Sequence, residues 1–163
     1  MKTRKVVTKA MDKALMSAYR GVFMEHGGPF GAAIIDNKGE IVCVVHNRVL
    51  EDKDPTAHAE MVAIREACKK LDTLDLSGHV MIATGYPCPM CMSAIIWANI
   101  EKVYYGAPAE DCEVIGFRDE PMFRWFRGEE SDIKLELELC SDKHREKTME
   151  MYLKYQEDKK EMY

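Results

Sequence analysis

The sequence predicts a three-layer α/β/α fold with a central mixed sheet of five strands, as a single domain over residues 1–163. Three observations carry that prediction. Two short apolar segments, Phe30–Asp36 and Glu40–Asn47, flank the turn residues Asn37-Lys38-Gly39 and read as an antiparallel hairpin. Strand-like segments then alternate with stretches of helical period, which puts helices on both faces of a sheet. The third is composition. With 47% hydrophobic and 31% charged residues the chain is globular, and at this length it buries roughly 70% of its unfolded surface without disulfide staples.

In chain order, Ala10, Ala14, Leu15, Ala18, Val22 and Phe23 recur at helical spacing and predict an amphipathic helix from Thr8 to about Glu25, ended by Gly27-Gly28-Pro29. The hairpin follows. Arg48–Pro55 is a charged connection, after which Thr56 is expected to cap a helix over Ala57–Leu71 with Met61, Ile64 and Cys68 facing inward. Asp72–Gly78 is turn-rich and His79–Thr84 reads as a buried strand. Gly85-Tyr86-Pro87 leads into a helix from Cys88 to Ala98, with Pro89 suited to its first turn. Lys102–Gly106 predicts a fourth strand. Residues 107–128 suggest only short helices, with aromatics at Phe117, Phe123, Trp125 and Phe126. Ile133, Leu135, Leu137 and Leu139 alternate cleanly and predict the fifth strand; a long polar helix is expected from Asp142 to about Lys160.

Charge and cysteine usage narrow the function class. A formal net charge of -5 is a poor electrostatic match to a phosphate backbone, so a nucleic-acid partner is disfavoured. No run approaches the roughly 18 apolar residues of a membrane helix. The basic start, Met1 to Lys5, is followed only by Val6 and Val7 before Thr8 and Lys9, too little for a secretory apolar core. Six cysteines are too few for a disulfide scaffold. The expectation is a reduced, cytoplasmic, soluble protein with no membrane contact.

Two short motifs carry chemistry, and both fall just inside predicted helix starts: His58-Ala59-Glu60 and Pro87-Cys88-Pro89-Met90-Cys91. Thiolate and imidazole suit zinc, and Cys-x-x-Cys on a turn entering a helix brings two sulfurs to one point. The free N–H groups and dipole of a helix start favour thiolate over thiol. His58, Cys88 and Cys91 give three ligands, so one zinc per chain would keep a fourth position for water or hydroxide, the mark of a catalytic rather than a structural site. Glu60 shares no helix face with His58, yet at a helix tip both can reach a site beyond the end, where a carboxylate can shuttle protons from an acidified water. Taken alone, the cysteine pair is also compatible with a redox couple or half of a structural zinc site. The joint order, H-x-E and then P-C-x-x-C, is the known signature of zinc deaminases.

On these motifs the sequence resembles the zinc-dependent cytidine deaminase superfamily, and within it the guanine deaminases of bacteria. Further likeness lies in Gly27-Gly28-Pro29-Phe30-Gly31-Ala32, Asn47, Asp54-Pro55-Thr56-Ala57, Ala94-Ile95-Ile96-Trp97-Ala98, Gly116-Phe117-Arg118-Asp119 and Lys159-Lys160-Glu161-Met162-Tyr163. The resemblance implies a cytidine deaminase-like fold and hydrolytic deamination of a nucleobase, guanine to xanthine and ammonia, by zinc-activated hydroxide with Glu60 as proton shuttle. It further implies that Phe30 stacks on the base, that Asn47 and Ala59 contact it, and that Asp119 accepts its N–H groups. Partners would be a small-molecule nucleobase and a second copy, in a homodimer whose exchanged C-terminal segments bring Tyr163 to the neighbouring site. Transfer-RNA adenosine, or another base, nucleoside or triazine, is the alternative substrate. Tyr86 departs from the Glu that guanine and transfer-RNA adenosine deaminases usually carry before this proline, so the identity of the base turns on whether position 86 acts through its backbone or its side chain.

Pattern alone assigns several of these residues blander roles. Phe30 opens an apolar strand and reads as core. Asn47 ends a strand, where turn capping is the ordinary explanation, and Asp119 sits in a charged loop as a solvated carboxylate. His26 and His46 read as structural or exposed, His79 and His144 as surface residues, and Cys43, Cys68, Cys112 and Cys140 as small hydrophobes or idle thiols.

Overall fold

A computed structural model describes residues 2–117 and 119–158. The chain divides into two compact units, Met1–Ser131 and Asp132–Tyr163. In the first, the elements run α1 (Lys2–Phe23), β1 (Gly31–Ile35), β2 (Ile41–His46), α2 (Val49–Asp52), α3 (Ala59–Leu71), β3 (Val80–Gly85), α4 (Pro89–Trp97), β4 (Lys102–Ala107), α5 (Ala109–Val114) and α6 (Glu120–Phe126). The second holds α7 (Asp142–Glu157), whose first turn is capped by Ser141, its hydroxyl accepting from the His144 N–H.

The sheet has the order β2-β1-β3-β4. β1 is antiparallel to both β2 and β3, while β3 and β4 are parallel and joined through α4. Mixed pairing follows from the connections: a tight turn suffices for the β1–β2 hairpin, whereas a parallel pair needs a helical crossover. The second central strand, β3, is buried through its last five residues, and β1 along its whole length. Alternate β1 residues serve opposite faces. Ala32 and Ile34 pack with Val62, Ala63, Ala67 and Met81, and with Ile95 and Ala98 around α4; Ala33 and Ile35 pack with Ala10 and Ile82. Helix α1 therefore covers one face and α3 with α4 the other. Contact on the α1 side is close, since a Cβ at Gly31 would strike the Ala14 carbonyl, and the alanine face of α1 makes that approach available.

Four sequence expectations change. The sheet has four strands among the described residues, not five: residues 132–141 carry no strand. Alternation selects which side chains share a face but supplies no ladder partner, and a strand exists only within a ladder. Helix α1 begins six residues early because Val6 and Val7, with Met11, extend its apolar face onto the core. The connection after Asn47 contains the one-turn helix α2. Finally, Thr56 is not the cap of α3. Its N–H and hydroxyl both donate to Asp54 Oδ1, at 2.8 and 2.7 Å, closing an Asx turn, and the N-cap is His58. The inward face also differs from the expected one: Ala59, Val62, Ala63 and Ala67 are buried, with Ile64 and Cys68 at the margin.

Candidate active site

Both motifs are delivered by helix starts. His58 is the N-cap of α3 in extended conformation, and its carbonyl accepts the Val62 N–H. Cys88 is the N-cap of α4, also extended, with Pro89 at the first helical position and Cys91 in the first turn. A residue in this half-helical position points its side chain past the helix end, so two helices entering from neighbouring loops present ligands to one point. His58 Nδ1 lies 3.6 Å from Cys88 Sγ and 3.7 Å from Cys91 Sγ. Bonds of about 2.3 Å to sulfur and 2.0–2.1 Å to nitrogen at a tetrahedral angle place the two atoms about 3.6 Å apart. The donor set fits zinc.

Electrostatics agree. The two buried thiols share ionisation: Cys88 is pulled down to about 4 by hydrogen bonds from the Cys91 thiol, from His58 and from the Cys91 N–H, against its burial. Cys91 is pushed up by the charge this leaves on Cys88 and by its own burial. Two adjacent buried thiolates require a cation between them. Bonding to Cys88 raises the pKa of His58. Glu60, in the first turn of α3, is one of three buried polar residues among the described residues, with Asn47 and Thr84, and burial pushes its carboxyl up to about 7.

Around these groups is a pocket lined by Phe30, Gly31, Asn47, His58, Glu60, Gly85, Tyr86, Cys88, Phe117 and Asp119. Of the residues singled out from sequence, Phe30, Asn47, Glu60 and Asp119 thus meet at the metal ligands. Ala59 is fully buried at the first position of α3 and is not part of the lining. Tyr163 lies outside the described residues. Asn47 also does the turn work its position suggests, since its Oδ1 accepts from Gly28 N at 3.3 Å and Val49 N at 3.1 Å. Asp119 precedes α6, and burial followed by the nearby Cys88 raises its pKa.

The sequence reading gives Phe117 no role in the pocket and leaves open whether Tyr86 acts through its backbone or its side chain. Phe117 meets Phe30 edge to face, with centroids 4.8 Å apart at 87°, and it lay in a stretch without periodicity; its place two residues before Asp119 was the available signal. Tyr86 lines the pocket, but its ring packs on Tyr105 of β4 at 5.1 Å and on Phe123 of α6 at 6.2 Å.

The description "cytidine and deoxycytidylate deaminase zinc-binding region" matches residues 4–107. The chain belongs to this family. A guanine deaminase of Bacillus subtilis (strain 168) is 40% identical over 114 residues, 70% of this chain and 72% of that protein. An X-ray structure of guanine deaminase from Bacillus subtilis has a TM-score of 0.79 at 33% identity, covering 89% of this chain and 92% of the other. A tRNA-specific adenosine deaminase of Aquifex aeolicus is 51% identical over 79 residues, 48% of this chain and 52% of that protein. This deaminase is accordingly a zinc-dependent aminohydrolase, with His58, Cys88 and Cys91 placed to hold one ion. Among the described residues no helix is long and apolar enough to cross a membrane.

Proposed function

We propose that the chain converts guanine and water to xanthine and ammonia. The observation that carries this reading is how far the likeness extends. The guanine deaminase alignment covers 70% of this chain, whereas the tRNA-deaminase alignment spans 48%. The Phe117 and Asp119 wall lies beyond the matched 4–107 region common to the family.

Zinc, when bound by His58, Cys88 and Cys91, supplies a Lewis acid that brings the pKa of water toward neutrality. Glu60 moves the protons: its carboxylate takes one from the attacking water and returns it to a ring nitrogen, then serves the departing amine. Buried beside the ligands, it works where solvent cannot compete. Phe30 and Phe117 give flat apolar walls for a purine, and the Asn47 amide pairs with its edge. Ala59 contributes its backbone N–H, which no helical carbonyl takes at the first position of a helix. Asp119 accepts N–H groups of the base, a donor pattern guanine presents. With its ring held by Tyr105 and Phe123, Tyr86 serves through its carbonyl rather than its side chain, consistent with guanine despite the missing Glu.

The same reading treats residues 1–163 as one deaminase domain that pairs as a homodimer, with exchanged C-terminal segments bringing Tyr163 to the neighbouring pocket. The setting is cytoplasmic, where Cys88 and Cys91 stay reduced. Purified zinc-loaded protein offered guanine, guanosine, cytosine, adenine and an adenosine-containing transfer RNA should release ammonia fastest from guanine. The 51% identity to a tRNA-specific adenosine deaminase favours the competing substrate, and salt-sensitive inosine formation in RNA, with guanine inert, would establish it.

A further inference from the structure

One residue from Asn47 lies a cluster of titratable side chains that the chemistry above does not use. His26 follows α1, His46 ends β2 and Glu51 sits in α2. His26 Nδ1 is 2.9 Å from His46 Nε2 and 3.3 Å from Glu51 Oε2, while Ser17 Oγ of α1 is 3.1 Å from His46 Nδ1. A separation of 2.9 Å is that of an N–H···N hydrogen bond; a tetrahedral cation would hold two nitrogens about 3.3 Å apart. Glu51 Oε2 is already 3.0 Å from Arg48 Nε, and Arg48 Nη2 reaches Asp52 at 2.9 Å. The pair is therefore joined by a proton, not a metal.

The hydrogen bonds around the pair tie together the two segments that supply pocket walls. The His26 carbonyl accepts from the N–H groups of Leu50 and Glu51 at 2.9 and 3.0 Å, and Asn47 N donates to the Phe30 carbonyl at 2.9 Å. Asn47 Oδ1 bonds Gly28 and Val49, as above. Spacing is tight enough that a Cβ at Gly21 would overlap the His46 ring and one at Gly27 would strike Asn47 Oδ1. We infer that His46 and His26 are positioning residues for Asn47 and Phe30, a latch that holds the base-binding edge until both rings are protonated. This rests on the deaminase reading.

The reason is stoichiometric. One proton fits between His26 Nδ1 and His46 Nε2. Either ring supplies it, since a neutral imidazole carries its hydrogen on either nitrogen, so a first added proton leaves the bond intact and a second, on the other ring, sets two N–H groups face to face and breaks it. The charged groups facing His46 are His26 and Arg20 from α1 and its end, and Arg48 and Glu51 from the segment after β2. Burial, then His26, then the arginines hold its pKa below the ordinary value, with Glu51 opposing. An unfolded chain then takes up the proton first as pH falls. Stability from this group is full above about 6.5, falls as pH drops from there to the folded pKa, and levels below it.

The test compares wild type with His46→Gln and His26→Gln, measuring kcat and KM for guanine from pH 5.5 to 7.5 with zinc content at each point. Glu60 and the metal ligands titrate alike in all three, so the ratio of variant to wild-type KM isolates the latch. That ratio should be roughly threefold to tenfold at pH 7.5, the loss of one hydrogen bond, and shrink toward one at pH 5.5, with kcat changing less. Independently of activity, the His46 ring should titrate below 6.5 by NMR, and the wild-type unfolding midpoint should fall more between pH 7 and 5.5 than that of His46→Gln. A pH-independent KM ratio, a His46 ring titrating at or above 6.5, or a second zinc per chain lost in His46→Gln would overturn the inference. Inactivity of wild type on guanine would instead overturn the substrate reading, while the NMR and unfolding comparisons would still decide the latch.

Discussion

Glu60 is a buried carboxyl with a raised pKa beside three metal ligands, a combination that stability alone does not favour. Glu60→Gln should keep one zinc per chain, measured by metal analysis, and lose about 10²–10⁴ in kcat, the usual contribution of a positioned proton shuttle. Full activity in that variant would remove Glu60 from the chemistry. Asp119→Asn should raise KM for guanine more than for bases with fewer N–H donors, read from parallel steady-state assays. The ligands and Glu60 were legible in sequence because each motif is contiguous and its spacing is itself the geometry. Phe117 was not, because an isolated aromatic in an aperiodic loop looks the same whether it faces a pocket or solvent. The His26–His46 bond was equally hidden: it joins residues whose meeting depends on how α1 packs against β2.

At the scale of elements, the site depends on β1 and β3 holding the two helix starts in register. The Gly31 N–H at the head of β1 donates to the buried Thr84 hydroxyl of β3 at 2.9 Å. Thr84→Val should cost about 1–3 kcal/mol in urea unfolding by stranding that donor, whereas Thr84→Ser, which keeps the hydroxyl, should cost less; equal effects would show that methyl packing dominates. Helices and central strands were readable from periodicity because each buries a face within its own layer. The exceptions have local causes. Thr56 looked like a cap, but Asp54 two residues earlier competes for its donors and closes a turn instead. The segment from Ile133 to Leu139 alternates like a strand, and alternation cannot say whether a neighbouring ladder exists.

For the whole molecule, zinc links the two halves of the constellation, since α3 supplies His58 and α4 the cysteines. Removing it should loosen the fold as well as stop the reaction. Chelation should lower the unfolding midpoint and added zinc restore it, by about 2.7 kcal/mol at a free zinc concentration a hundredfold above Kd; an unchanged midpoint would mean that the ion does not bridge the helices. The net charge of -5 belongs to this scale too, as it repels a polyanion without bearing on a neutral base. The most direct measurement is the product balance of purified protein carrying one zinc per chain, incubated with guanine. The account predicts xanthine and ammonia in equal amounts, abolished in Glu60→Gln. Guanine left intact by the zinc-loaded wild type would contradict it.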